Sequence, residues 1–144
     1  MIRATLDVNV LASAFLGRQT APALIVQRWT GGRFELILSE HVLYGLDRTW
    51  QKRYFQTRYT GDQVQQTLAL LRADAIMVAP TPSAQGVGED EEDDLVLATA
   101  VAGDATYLVT GDRHLQAFGS FQDVTILSPR QFLDLLEIEP GIGS

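Results

Sequence analysis

Apolar and polar residues alternate along the chain in blocks that indicate strands and helices in turn. Short, nearly continuous apolar runs are typical of buried parallel strands, and they occur at residues 2–6, 34–38, 75–78, 106–109 and 124–127. Between these runs, apolar side chains recur at helical spacing, which predicts helices at residues 8–15, 22–29, 40–53, 62–73, 95–102, 113–118 and 129–137. Because parallel strands need helical crossovers, this order predicts a three-layer α/β/α sandwich around a parallel sheet of about five strands.

The length and composition of the chain favour a single domain. With 144 residues, of which 46% are hydrophobic and 20% charged, the chain can bury one sizeable core. We therefore predict one domain over residues 1–138, followed by a flexible tail at residues 139–144. No apolar run approaches the roughly 20 residues that span a bilayer, and the first residues lack the layout of a signal peptide. We expect a cytoplasmic protein that does not enter a membrane.

The most unusual polar segment is a run of six carboxylates, Glu89–Asp94, directly before an alanine-rich apolar stretch. This run carries −6 of the net charge of −7, so a broad basic surface for nucleic acid is not expected. A helix N-terminus offers only about half a positive charge against the run, whereas a divalent cation would balance more of it. The chain has no cysteine and two histidines, so oxygen ligands and therefore Mg²⁺ or Mn²⁺ are indicated.

Two further acids follow predicted strands. Asp7 comes directly after the first strand, and Asp112 comes shortly after the fourth. Ligands of parallel sheets collect at the carboxyl ends of the strands, where Asp93 at the acidic helix start would join these two acids. Each acid alone would be explained as a helix cap, but the three together predict a catalytic metal centre of Asp7, Asp93 and Asp112. We expect the preceding acids, Glu89–Glu92, to lie in solvent or at the periphery of the metal.

Four segments resemble those of PIN-domain proteins. They are L-D-V-N-V-L-A-S-A at Leu6–Ala14, E-D-D-L-V-L-A-T-A at Glu92–Ala100, L-V-T-G-D at Leu108–Asp112, and I-L-S-P-R-Q-F-L at Ile126–Leu133. The segments occur in the order and with the spacing of that family and cover essentially the whole chain. Within the family, the chain is most similar to the PIN-type toxins of bacterial toxin–antitoxin pairs.

The resemblance implies a PIN-like fold and a metal-dependent endoribonuclease, in which water activated by Mg²⁺ or Mn²⁺ cleaves RNA to leave a 5′-phosphate and a 3′-hydroxyl. It also implies a cognate antitoxin protein as partner and a homodimer. The positions that match the family's acids are Asp7, Asp93 and Asp112, with Asp94 as an alternate ligand. The positions that match its small supporting polar residues are Asn9, Ser13 and Thr110.

The chain departs from the family pattern at one position. The resemblance places the family's second acid at Gly45, which has no side chain. Glu40, at the start of the same predicted helix, would be the substitute metal ligand if that helix were shifted. An alternative is therefore a weakened or inactive PIN-like module that binds RNA or a protein partner. A phospho-acceptor receiver domain also has strand-end aspartates, but it needs a lysine after its last strand and Lys52 is the only lysine here.

One basic and aromatic cluster would suit RNA. Arg48, Lys52 and Arg53 are followed by aromatic residues at 54, 55 and 59. Cations hold an RNA backbone and aromatic rings stack on bases, so we predict that these three residues contact RNA. A solvated helix end with no ligand explains the same pattern. The apolar content of residues 50–59 also motivates the expected homodimer.

Overall fold

The computed structural model describes residues 1–17, 19–80 and 91–138. Strands and helices alternate along the chain as the apolar blocks predict. The strands are β1 (Arg3–Leu6), β2 (Glu35–Leu38), β3 (Ile76–Met77), β4 (Tyr107–Val109), β5 (Ser120–Phe121) and β6 (Val124–Leu127). The helices are α1 (Val8–Ala14), α2 (Ala21–Thr30), α3 (Glu40–Trp50), α4 (Arg53–Gln56), α5 (Gly61–Asp74), α6 (Glu91–Ala102), α7 (Arg113–Ala117) and α8 (Pro129–Ile138). None of the described helices combines the length and the apolar character that crossing a membrane requires.

The described strands form a six-stranded sheet in the order β3-β2-β1-β4-β6-β5. Neighbouring strands are parallel except for β5, which pairs antiparallel with β6. The chain builds outward from β1 to β3 and then returns to the other side of β1 with β4. The order of the strands therefore reverses between β1 and β4, and crevices at such a reversal are where open α/β sheets bind ligands. This mixed α/β architecture, with helices flanking a mostly parallel sheet, confirms the predicted fold class.

The core holds the ends of β1 and β4 in fixed positions. Leu6 and Leu108 are fully buried in these strands. Helix α6 packs against β1, β2 and β4 and also against α3, whereas α8 packs against α2 and β6. Helix α3 buries Val42, Leu43, Leu46 and Trp50, which lie at the helical spacing seen in the sequence. The strand ends are thus supported from helices that are themselves anchored in the core.

Two boundaries differ from the sequence-based expectation in the region of α3 and α4. The helix predicted at residues 40–53 ends at Trp50, and a separate short helix begins at Arg53. Lys52 between them has extended backbone angles, with φ −68° and ψ 147°. Trp50 is buried, but the next four residues are exposed. No apolar face therefore continues the helix past Trp50, because packing rather than propensity stabilises most helices in proteins.

Two further differences concern α6 and β5. Helix α6 begins at Glu91, four residues before the predicted start, so part of the acidic run lies in its first turn. Favourable interaction of acids with a helix N-terminus is consistent with this earlier start. Strand β5 is only two residues long, too short to produce an apolar pattern. The predicted tail at residues 139–144 and the first acids of the run, residues 89–90, lie outside the described residues.

Candidate active site

Asp7 lies at the point where β1 passes into α1. Its backbone N–H donates to the carbonyl of Val109 at 2.9 Å, which continues the pairing of β1 with β4. Its carboxylate Oδ1 accepts from the backbone N–H of Val8 at 2.7 Å and caps α1. The residue is only 6% exposed. Both the backbone and the side chain of Asp7 are therefore fixed at the strand edge.

Thr110 connects Asp7 with Asp112. The Thr110 hydroxyl donates to Oδ2 of Asp7 at 2.6 Å and accepts from the backbone N–H of Asp112 at 3.0 Å. Thr110 itself is fully buried after β4. Asp112 then caps α7, because its Oδ1 accepts from the N–H of His114 at 2.8 Å. The two predicted strand-end acids are thus brought together by one buried hydroxyl, at the reversal of strand order.

The charge on Asp7 is held in an unfavourable environment. Burial is the largest influence and raises the pKa of Asp7, while the hydrogen bonds from Thr110 and Val8 lower it in part. The negative charges of Glu92 and Asp112 raise this pKa further. Carboxylates that are pushed toward protonation by burial and by like charges gain most from a nearby cation.

Glu92 is a residue that the sequence reasoning placed at the periphery. It lies in the first turn of α6, and its charge acts on Asp7. Its carboxylate lies against Gly45 of α3: a Cβ built on Gly45 would be 2.8 Å from Oε1 of Glu92 and 3.1 Å from Cγ2 of Val8. Helical spacing puts Glu92 on the same face as Leu95 and Val96, three and four residues later. The same spacing puts Asp93 beside Val96 and Leu97, so the pattern does not single out either acid.

A cleft of about 400 Å³ opens beside Glu92 and Gly45. It lies between α3 and α6 and reaches Val8, the residue after Asp7. Its walls combine apolar side chains with the charged or titratable side chains of Glu92, Arg48 and His41. The lining residues are Val8, His41, Val42, Tyr44, Gly45, Arg48, Glu92, Leu95 and Val96. A cleft with apolar walls and a few convergent polar groups is the usual form of a ligand site.

Glu40 lies apart from this group. Its two carboxylate oxygens accept from Arg72 at 2.9 and 3.0 Å on the exposed surface. The hydrogen bond from Arg72 lowers the pKa of Glu40, and Glu40 is not among the charges that act on Asp7. Its role as a metal ligand stays a prediction, one that would require its release from Arg72.

The remaining predicted residues lie at several places around the site. Asp93 and Asp94 are half-buried in the first turn of α6. Asn9 and Ser13 are on α1 and are exposed. Of the predicted RNA-contacting residues, Arg48 lines the cleft, whereas the exposed Lys52 and Arg53 lie at the junction of α3 and α4.

The donor groups fit a hard divalent cation. Among the described residues, no group of three histidine or acidic side chains forms a cage that could hold a metal ion. Mg²⁺ does not need such a cage, because it usually keeps several waters and binds through one or two carboxylates. The carboxylates of Asp7, Glu92 and Asp112 offer only oxygen, the ligand that Mg²⁺ and Mn²⁺ prefer. The space beside Gly45 on α3 is already occupied by the carboxylate of Glu92.

The chain resembles solved structures over most of its length. VapBC2 from Rickettsia felis, bound to a DNA fragment from its promoter, is 14% identical, with 88% of this chain and 98% of that chain covered at a TM-score of 0.60. VapBC-1 from nontypeable Haemophilus influenzae is 16% identical, with coverage of 90% and 99% and a TM-score of 0.59. FitAcB from Neisseria gonorrhoeae is 16% identical, with coverage of 88% and 98% and a TM-score of 0.57. At these identities the similarity shows a shared fold.

The family follows from the sequence match. No curated protein sequence matches the chain significantly. A sequence profile of the PIN domain, by contrast, matches residues 3–114. The match begins in β1 and extends through Asp7, α6, Thr110 and Asp112, so it contains both strand-end acids and the helix that faces them. By this match, and with a fold that agrees with it, the chain belongs to the PIN domain family.

Proposed function

We propose that the protein is an Mg²⁺- or Mn²⁺-dependent endoribonuclease and the toxin of a toxin–antitoxin pair. The observation that supports this most directly is the pair of strand-end acids, Asp7 and Asp112, joined by buried Thr110 where the strand order reverses. Membership of the PIN domain family supports a nuclease. The likeness in fold to the VapBC structures supports the toxin assignment and a cognate antitoxin partner.

In this proposal Asp7, Asp93 and Asp112 hold the ion, with Asp94 as an alternate ligand. The ion, when bound, supplies a water of lowered pKa and neutralises charge on the scissile phosphate. The hydrogen bonds from Val8 and Thr110 keep the Asp7 carboxylate in one orientation. Thr110 also positions the backbone of Asp112. A fixed orientation of these oxygens means that little rearrangement is needed when the ion and the phosphate arrive.

The cleft provides a place for the RNA strand. The guanidinium of Arg48 lies 5.7 Å from the centre of the Tyr44 ring, and both residues line the cleft. Tyr44 is 65% exposed, so its ring can stack on a base while Arg48 pairs with a phosphate. Lys52 and Arg53 would extend this basic strip along the backbone of a longer RNA.

The decisive experiment incubates purified protein with a mixture of RNAs in Mn²⁺ and in EDTA. We expect cleavage only with the metal, with 5′-phosphate ends, and at least about a 100-fold loss in Asp7→Asn and in Asp93→Asn. Asp134→Asn is the matched control, because Asp134 is an exposed acid of α8 paired with Arg130. Cleavage that persists at the wild-type level in Asp7→Asn would show that the centre is assigned wrongly.

A second candidate function is a PIN-like module that binds RNA or a protein without cleaving it. Gly45 favours this alternative, since α3 offers no carboxylate there. The same experiment separates the two, because the non-catalytic module would bind RNA in a gel-shift assay and leave it intact in Mn²⁺.

A further inference from the structure

Gly45 stands at a position where glycine is unexpected on conformational grounds. It lies in the middle of α3, is buried and has ordinary helical backbone angles. A glycine in a helix interior costs roughly 1 kcal/mol relative to alanine. The surroundings of Gly45 offer a reason for its presence. The atom nearest to a Cβ at this position would be Oε1 of Glu92, at 2.8 Å. Such a distance is shorter than real Cβ contacts, so a side chain at position 45 would move the Glu92 carboxylate.

The charge of this exposed Glu92 carboxylate also acts on the strand-end acid Asp7. The atom next closest to the Gly45 position belongs to Val8, at 3.1 Å, and Val8 directly follows Asp7. Glu92, Gly45 and Val8 line the same cleft, and the charge of Glu92 acts on Asp7. A carboxylate from α6 thus lies beside α3, and its charge acts on the acid that follows β1.

We propose that Glu92 is a further metal-holding residue, and that Gly45 leaves open the space from which its carboxylate reaches the ion. Glu92 supplies on the α3 side the oxygen ligand that α3 itself does not. The inference rests on the proposed function and adds one residue to the same centre. It also makes positions 45 and 92 two alternative origins for one carboxylate, one from α3 and one from α6.

The first test measures Mn²⁺ binding to metal-stripped protein by calorimetry and by the loss of the electron paramagnetic resonance signal of free Mn²⁺. Glu92→Gln keeps the size of the side chain but removes its charge, and we expect at least about a tenfold weaker affinity. Gly45→Ala should weaken binding in the same direction, because its Cβ displaces a flexible side-chain end and the fold can accommodate that shift. Glu137→Gln is the matched control, because Glu137 is an exposed glutamate of α8 paired with Arg28, and it should bind like wild type.

The second test asks whether the two positions exchange. Once Glu92→Gln has removed the carboxylate, Gly45→Ala should cause little further loss of Mn²⁺ affinity, because the group it displaces no longer carries charge. In a Glu92→Ala background, which empties the space, Gly45→Glu should restore most of the affinity by bringing a carboxylate from α3. Circular dichroism and thermal melting of each variant establish that it is folded.

Each outcome has a distinct meaning. If Glu92→Gln binds Mn²⁺ as wild type does while Asp7→Asn does not, the role of Glu92 is wrong and the proposed metal centre stands. Losses that add fully in the Gly45→Ala, Glu92→Gln double variant would contradict the assignment of Gly45 as the space for Glu92. If wild type binds no Mn²⁺, the proposed function fails and the inference with it.

Discussion

Asp7 has two roles whose requirements conflict when no cation is present. As the cap of α1 it accepts a hydrogen bond from Val8, which favours the ionised form. As a buried group close to Glu92 and Asp112 it is pushed toward the neutral form, and the second influence prevails because the pKa of Asp7 is raised overall. The side chain that we propose to hold an ion therefore reduces the stability of the metal-free fold.

This conflict gives a stability prediction for Asp7→Asn in EDTA. An acid whose pKa is raised in the folded state costs no stability below its unfolded pKa, which is about 4 for Asp. Above that pH the cost grows until the pH has passed the raised pKa of the folded state. Asparagine caps a helix about as well as aspartate and carries no charge. We expect Asp7→Asn to melt at a higher temperature than wild type at pH 7, with the difference shrinking as the pH approaches 4.

Addition of Mn²⁺ should reverse the order of these two proteins. A ligand at about 100 times its Kd stabilises the native state by about 2.7 kcal/mol. At the roughly 2 to 4 °C per kcal/mol typical of domains of about 150 residues, this raises the melting temperature by about 5 to 11 °C. Wild type should gain this stabilisation and Asp7→Asn should gain little. Equal gains in the two proteins would place the ion elsewhere.

At the scale of single residues, the sequence predicts some site positions better than others. Asp7 and Asp112 follow apolar runs, so their place at the strand ends could be anticipated from pattern alone. Glu92 could not be singled out, because each of its neighbours in the run Glu89–Asp94 is also acidic. Which acid of the run faces the cleft depends on where α6 begins and how it is rotated, and tertiary packing against α3 and the sheet sets both.

At the scale of elements, the most consequential contact is between α3 and α6, because these helices carry Gly45 and Glu92. The buried Ser39 hydroxyl caps α3 by accepting from the N–H of Val42 at 3.3 Å, and it lies 2.8 Å from the hydroxyl of Thr99 in α6. Thr99 donates in turn to the carbonyl of Leu95 at 2.7 Å. One small side chain thus ends β2, starts α3 and ties it to α6.

We expect Ser39→Ala to destabilise the protein by about 1 to 2 kcal/mol, since it removes an N-cap and a buried hydrogen bond. Urea unfolding measures this change. Ser128→Ala is the control, because Ser128 caps α8 on the exposed surface by accepting from Gln131 at 3.1 Å. If Ser39→Ala and Ser128→Ala lower the free energy of unfolding by the same amount, the contact with Thr99 contributes nothing.

Helix α3 also carries Arg48, one of the three residues predicted to contact RNA. Removal of one phosphate-binding cation should weaken binding about uniformly across sequences and reduce the salt dependence of log K by about 1. We expect this for Arg48→Ala in fluorescence anisotropy with a short single-stranded RNA. Arg58→Ala is the matched control. Arg58 lies over the ring of Tyr54 at 4.0 Å, four residues after it, just as Arg48 is four residues after Tyr44. Arg58 is not among the residues that line the cleft. Equal effects would place the RNA elsewhere.

At the scale of the whole molecule, the sheet order was not contained in the sequence pattern. Apolar runs identify strands, but the reversal between β1 and β4 depends on which side of β1 the chain returns to, and that is decided by packing of the crossover helices. The antiparallel β5 has only two residues, which is too short to give an apolar pattern. The alternation of strands and helices was enough for the fold class, and the strand-end rule then placed Asp7 and Asp112 at one edge.

The exposed aromatic residues support the expected homodimer less well than the apolar sequence pattern suggests. Of the aromatic residues at 50–59, Trp50 is fully buried and packs near Phe15 and Tyr59, while Tyr54 is 58% exposed. The prediction of a dimer therefore rests on the family resemblance. Sedimentation velocity at tens of micromolar should show a dimer, and a single monomeric species across that range would contradict it.

The contact between Gly45 and Glu92 has a consequence for how relatives of this chain are identified. A volume that holds a single carboxylate can be filled from α3 or from α6, but a long side chain from each cannot occupy it together. An alignment column that requires an acid at position 45 would classify this chain as defective, although the carboxylate is present in space. In homologous sequences we expect a small residue at one of the two positions to accompany an acid at the other, a pairing that only a search scoring both columns jointly would detect.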